Sequence, residues 1–207
     1  MIYDGADRAI REMNRQNLKA FGKLKLAKWD ELNVIRAVDA VYRESIRMAR
    51  QRYYEVAVEA YILAMIEAGK SNKDATKAAD MDIDSAWVLA MLEEVDPVTL
   101  YAFLPEAERK KARFIEAVSV AQNRNQEIDK ALRYWTVQVA QYADNSVFYA
   151  RLKAFKDAGV EKVMWNTQRD ERVCDECGPM DGEIFEIDNV PDTPHWGCRC
   201  YISPVFD

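Results

Sequence analysis

The four cysteines and the single histidine of this 207-residue chain all lie in its last quarter, and their spacing constrains the fold more than any other feature. They form a C-x2-C pair, a gap of seventeen residues and an H-x2-C-x-C group, made of Cys174, Cys177, His195, Cys198 and Cys200. Thiolates and an imidazole in two close-spaced groups are the ligands of a closed tetrahedral zinc site. The sequence therefore predicts a structural Zn2+ held by four of these five residues, with His195 either a ligand or a donor to one.

Three other interpretations of these residues are less consistent with the sequence. The first eight residues contain no apolar signal core, so secretion and a pair of disulfides are a weaker interpretation than metal binding. A histidine-metal nuclease needs a histidine as general base besides any ligand, and the chain has one histidine. A thiol oxidoreductase is disfavoured because Asp175 and Glu176 beside the thiols raise their pKa. We therefore predict no enzymatic activity.

Charge is unevenly distributed along the chain. Residues 161–207 carry four basic and eleven acidic groups, a net charge of −7, against −6 for the whole chain. Residues 1–28 carry seven basic groups and three acidic ones. The acidic metal region is thus a poor phosphate-binding surface, whereas the basic arm could contact DNA or could be the solvated start of a helical protein. The longest apolar runs are far below the ~20 residues of a membrane span, so no membrane partner is predicted.

The middle of the chain has the periodicity of long helices. From Asp30 to Gly69 apolar residues recur on average every 3.5 positions, at Ile35, Val38, Tyr42, Ile46, Ala49, Tyr53, Val56, Ala60 and Leu63. Such a helix would be about 55–60 Å long, so we expect it to pack against another long helix or another subunit. Further on, Asn145-Ser146 predicts a fresh helix start and Gly159 a helix end.

The pattern changes to short strands after Gly159. Strand-like segments are separated by turn signals, and they are Val163–Thr167, Glu183–Phe185 and Cys200–Val205. A unit this small usually needs a staple, and bound zinc would contribute folding energy directly. The predicted fold is mainly α: a long-helix N-terminal region, then a small α+β module with an antiparallel sheet stapled by zinc. The predicted division is a basic arm at 1–29, long antiparallel helices at 30–142 and the zinc module at 143–207.

The last 60 residues resemble the phage Mu F-like head morphogenesis family, whose members are minor head proteins of tailed bacteriophages and prophages. The resemblance covers about residues 145–204 and rests on the ordered cysteines and histidine together with Trp165, Thr167, Asp170, Arg172, Asp181, Gly182 and Arg199. One departure is Trp196-Gly197, where the family commonly has Pro-Asn between its histidine and cysteine. The N-terminal part of the chain resembles the family only in being helical.

The resemblance implies a virion protein at the portal vertex or the inner capsid surface, assembled in the cytoplasm of the bacterial host. Its partners would be the portal or capsid protein, and it would assist head morphogenesis and genome packaging or ejection. The long helix could also mediate oligomerisation. The alternative hypothesis is a nucleic-acid-binding module in which zinc is a scaffold and residues 1–28 bind phage DNA.

Overall fold

A computed structural model describes residues 2–26, 31–93, 102–171, 173–192 and 198–206, with the backbone alone described for Glu31 and Leu32. The helices are α1 (Asp4–Leu24), α2 (Glu31–Glu67), α3 (Asn72–Asp82), α4 (Ser85–Glu93), α5 (Phe103–Val120) and α6 (Arg124–Ala158). The strands are β1 (Lys162–Asn166), β2 (Ile184–Glu186) and β3 (Tyr201–Val205). The protein is therefore mainly helical with a small C-terminal antiparallel sheet, as the sequence predicted.

The predicted long helix is α2, and its buried face follows the true helical period rather than the average of the apolar positions. Val38, Tyr42 and Tyr53 are buried as predicted, but Ile35 is 48% exposed and Leu63 is 39% exposed. At the two ends Val34 and Ala64 are buried instead. A straight helix of 3.6 residues per turn drifts by about 20° per heptad from a 3.5-residue repeat, which accounts for both shifts. The helix ends at Glu67, close to Gly69, which has a positive φ of 84° as a helix stop requires.

The two longest helices, α2 and α6, pack together and run in the same direction. Tyr42 lies against Trp135 with ring centroids 5.0 Å apart, and further along both helices the Tyr61 hydroxyl donates to Asp157 at 2.7 Å. The predicted antiparallel arrangement is therefore wrong for this pair. The reason is connectivity, since α3, α4 and α5 carry the chain back to the starting end before α6 begins. Both α1 and α5 do run opposite to α2.

Helix α6 is continuous through 35 residues, and the predicted helix start at Asn145-Ser146 is wrong. Both residues are buried in mid-helix with their polar groups satisfied locally: the Ser146 hydroxyl donates to the Tyr142 carbonyl at 2.7 Å, and the Gln141 amide donates to Asn145 at 2.7 Å. A residue that satisfies itself on the preceding turn no longer interrupts the helix. The helix ends at Gly159 as predicted, and it crosses the expected domain limit at 142/143 without a break.

The sheet packs on the second half of α6. Its strand order is β2-β1-β3, and both pairings are antiparallel. Val163, Trp165 and Thr167 face the interior, as their alternation predicted, and the Trp165 ring lies 5.7 Å from Phe148 on α6. One continuous core therefore joins the helical region to the sheet.

The basic N-terminal segment forms the packed helix α1. Its inner face buries Met13, Asn17 and Phe21 against α2 and α6, while its basic residues lie on the opposite, outer face. Among the described residues no helix combines the length and the apolarity needed to cross a membrane.

Candidate metal centre

Three of the five predicted ligands meet beside the sheet. Cys177 follows β1 and ends a turn that leads into the 3-10 segment Gly178–Met180. Cys198 and Cys200 lie on either side of Arg199, directly before β3. Because β1 pairs with β3, the two segments are held side by side, and all three thiols are buried. Alternation about Arg199 turns Cys198 and Cys200 to the same side, as the sequence suggested.

The three sulfur atoms have the spacing of a metal ligand set. All three Sγ atoms lie within 4.8 Å of one another. A tetrahedral zinc with sulfur ligands at about 2.3 Å separates neighbouring sulfurs by about 3.8 Å. The distance between the Sγ atoms of Cys177 and Cys198 is 3.8 Å, which fits such a site and is far beyond the roughly 2.05 Å of a disulfide. None of the four cysteines forms a disulfide, so the disulfide alternative has no support in this geometry.

The fourth position has two candidates. Cys174 is half-buried, and its Sγ accepts a hydrogen bond from the backbone N–H of Cys177 at 3.3 Å. The turn is closed by a further bond from the Gly178 N–H to the Cys174 carbonyl at 2.9 Å. Cys174 therefore lies at the edge of the thiol cluster but outside the group of three. His195 falls outside the described residues, so the choice between Cys174 and His195 stays a prediction.

Burial makes the cluster unfavourable for isolated negative charge. Desolvation by burial, opposed in part by the hydrogen bond with Cys200, raises the pKa of Cys177 to about 12. Hydrogen bonding with Cys198 and burial raise the pKa of Cys200 as well. Without a cation these groups are neutral thiols, whereas a bound divalent ion stabilises their thiolate forms.

Asp181 organises the loop between β1 and the thiol cluster. Its carboxylate accepts hydrogen bonds from the Thr167 N–H at 2.8 Å, from the Thr167 hydroxyl at 3.1 Å and from Arg169 Nε at 2.9 Å. These bonds, led by the backbone N–H, hold the pKa of Asp181 below its usual value. Gly182 has a positive φ of 86° and donates its N–H to the Trp165 carbonyl at 2.8 Å. These hydrogen bonds thus connect the end of β1, at Trp165 and Thr167, to the turn at Asp181 and Gly182.

A second contact ties the loop after β1 to the cysteines before β3. Arg199 donates to the Asp170 carboxylate at 2.6 Å, and Gln168 donates to the Arg199 carbonyl at 2.9 Å. Since Arg199 separates Cys198 from Cys200, these bonds fix the backbone that presents both thiols. Arg172, the remaining residue of the predicted motif, lies outside the described residues.

Sequence reasoning missed two residues that hold the module in place, Arg151 and Tyr3. Arg151 of α6 donates to the Ile202 carbonyl of β3 and to Glu67 of α2. The Tyr3 hydroxyl, just ahead of α1, donates to the Cys200 carbonyl at 2.6 Å. Burial, and then the Asp7 carboxylate, raise the pKa of Asp144 beside this contact to about 7. Arg151 interrupts the apolar face of α6, which could have marked it, but no sequence signal points to Tyr3.

Comparison with known proteins agrees with the resemblance stated above. The family described as phage Mu protein F like protein matches residues 57–203. An uncharacterized protein of Haemophilus influenzae is 44% identical over 25% of this chain and 13% of its own length, so the aligned segment is a small part of that relative. No solved structure matches the chain. The family match starts within α2 and reaches β3, well beyond the residues that carried the resemblance.

Proposed function

The chain belongs to the phage Mu protein F-like family, and we propose that it is a minor structural protein of the head of a tailed bacteriophage or prophage. The observation that carries the proposal is the extent of the match, which includes most of the helical region as well as the thiol cluster. The protein would act at the portal vertex or the inner capsid surface after assembly in the host cytoplasm. It would assist head morphogenesis, and packaging or ejection of the genome.

Association with the portal or capsid protein is the direct test. The full chain, coexpressed with the portal protein of the same phage, is expected to cosediment with it, and a parallel experiment uses the capsid protein. A Cys177→Ser variant separates docking by the helices from docking by the C-terminal module. A chain that stays monomeric and binds neither protein would contradict the proposal.

In this proposal the metal is a structural zinc, and the protein is not an enzyme. Cys177, Cys198 and Cys200 would hold the ion, together with Cys174 or His195. A sulfur-rich, buried ligand set is typical of structural zinc, whereas catalytic zinc keeps a position open for water. When bound, the ion would join the turn after β1 to the segment before β3, which strand pairing already brings together.

Metal analysis tests the zinc separately from the head role. We expect about one zinc per chain, lost in Cys198→Ser and in Cys200→Ser. Of Cys174→Ser and His195→Ala, the variant that loses the metal identifies the fourth ligand. Ser119→Ala, an exposed hydroxyl change on α5, is the control and should keep the zinc. A protein that purifies without metal and takes up none would refute this part.

A second candidate function is DNA binding through α1, which the charge of its outer face favours. Arg11, Lys19 and Lys23 are exposed on this face. For each phosphate that a basic residue neutralises, the affinity for DNA falls by about 0.9 log units per log unit of salt concentration. The combined variant Arg11→Ala, Lys19→Ala and Lys23→Ala should therefore bind DNA with a smaller slope of log affinity against log salt concentration. Substitution is preferable to deletion because Met13 and Phe21 of the same helix are in the core. An unchanged slope would exclude this function.

A further inference from the structure

A cavity of about 450 Å³ opens between α5 and α6, at the far end of α6 from the thiol cluster. Its size lies within the range of about 300–1,000 Å³ typical of small-molecule sites. The apolar part is formed by the rings of Tyr42 and Phe114 and by Ala117 and Ala131. The ring of Tyr134 also lines the cavity and is 66% exposed. The cavity therefore offers apolar surface in its interior and an accessible flat ring at its edge.

The charged residues of the cavity leave an excess of positive charge. Four cationic residues, Arg109, Lys110, Arg113 and Lys130, face two carboxylates, Glu106 and Glu127. Arg109 binds Glu106 through Nε at 2.7 Å, and Lys130 binds Glu127 at 2.7 Å, so each carboxylate already has a cation. Arg113 has no acidic partner within the described residues. Lys110 is partly desolvated, which lowers its pKa, and its nearest carboxylate oxygen is 3.6 Å away.

Tyr42 supplies a buried polar group at the base of the same cavity. The residue as a whole is 2% exposed, and it lines the cavity together with Phe114. Burial alone raises the pKa of Tyr42, so the group stays a neutral donor. This hydroxyl can donate a hydrogen bond to an acceptor atom of a ligand in the cavity.

We propose that this cavity binds a phosphate-bearing ligand with a flat ring, namely a nucleotide taken either free or as one unit of single-stranded nucleic acid. Arg113 and Lys110 are donors to the phosphate, and Tyr134 is the surface on which the ring stacks. A phosphate group has three acceptor oxygens, so it can accept hydrogen bonds from a guanidinium, an ammonium and a phenol at once. A carboxylate has two oxygens and matches these three donors less well. This site is separate from the metal centre and from the outer face of α1.

Calorimetric titration of the full-length protein tests the proposal with four probes: dTMP, inorganic phosphate, thymidine and an eight-residue oligo(dT). Arg113→Ala should weaken dTMP binding about tenfold or more, as expected for loss of a charge-assisted hydrogen bond. Tyr42→Phe keeps the aromatic ring but removes the hydroxyl, and it should weaken dTMP binding about threefold. The matched control is Arg133→Ala, an exposed arginine on α6 that does not line the cavity, and it should bind as wild type does. Thermal unfolding of each variant checks that the fold is intact.

Each outcome bears on the proposal. Tight binding of dTMP that depends on Arg113 supports a free nucleotide, and binding of oligo(dT) alone with the same dependence supports a strand as the source of the phosphate. Equal loss in Arg133→Ala and Arg113→Ala would mean general charge attraction and would overturn the site. No binding of either nucleotide probe, or binding of thymidine as tight as that of dTMP, would overturn the assignment to phosphate.

Discussion

Arg151 is expected to contribute more to stability than any surface ion pair of this protein, because it joins three elements through one buried side chain. It is 1% exposed and donates to the Ile202 carbonyl at 2.7 and 3.2 Å. It also pairs with Glu67 at 2.5 Å and lies 5.2 Å from the centre of the Phe155 ring. Substitution by methionine keeps most of the stem and removes the donors.

The magnitude follows from what each partner loses. Glu67 is 38% exposed and can hydrate, so its share of the pair is about 0–1 kcal/mol. An unsatisfied buried carbonyl at Ile202 costs about 1–3 kcal/mol. The loss of the cation–π contact with Phe155 adds about 0.5–2 kcal/mol. We therefore expect Arg151→Met to lower the free energy of unfolding by about 1.5–6 kcal/mol.

Urea unfolding followed by circular dichroism measures this difference, with Glu67→Gln as the matched variant. Glu67→Gln should cost about 1 kcal/mol or less and should cost less still in high salt, whereas the effect of Arg151→Met should persist there. Arg151→Lys should fall between them, because one ammonium cannot reproduce the planar fork. Equal costs for Arg151→Met and Glu67→Gln would refute the reasoning, since they would show that the ion pair rather than the carbonyl contact carries the energy.

Further predictions concern the turn and the metal. Gly182→Ala should destabilise by about 1–2 kcal/mol because of its positive φ, whereas Gly22→Ala, in an uncrowded helical position, should be neutral or stabilising in the same thermal melts. Since hydrogen bonds from Thr167 lower the pKa of Asp181, its ionised form stabilises the fold above pH ~4 and the benefit is lost as pH falls through the lower folded value. The stability gap between wild type and Asp181→Asn should therefore narrow in acid unfolding experiments, and a constant gap would contradict this. Chelation should remove hydrogen-exchange protection after residue ~160 before it affects α2, and uniform loss would argue against a local staple.

The regular parts of the fold were predictable because local pattern and tertiary packing agree there. The alternation of Val163, Trp165 and Thr167 predicted β1 and its buried face. The apolar repeat predicted α2, and its buried residues were assigned wrongly only near the two ends of the helix. At Asn145-Ser146 local preference and tertiary context differ. Capping residues there suggested a break, but burial and hydrogen bonds on the preceding turn keep α6 intact.

The candidate site was predictable in part, and the limit is sequence separation. Cysteines in close-spaced pairs are typical of a shared metal site, so the grouping of Cys177, Cys198 and Cys200 could be predicted from ligand chemistry. The contact of Tyr3 with Cys200 joins residues 197 positions apart. Likewise the direction of α2 relative to α6 depends on how three intervening helices return the chain. Neither property is encoded in a local pattern.

The uninterrupted α6 has a mechanical consequence. Its first half lies among the other helices and its second half carries the sheet, with no hinge between them along a rod of about 52 Å. A pull or twist applied at the cysteine end would therefore be transmitted along the whole axis to the cavity between α5 and α6, and the sheet could not swivel independently. The described residues at the two ends of α6 would therefore move together as one rigid body.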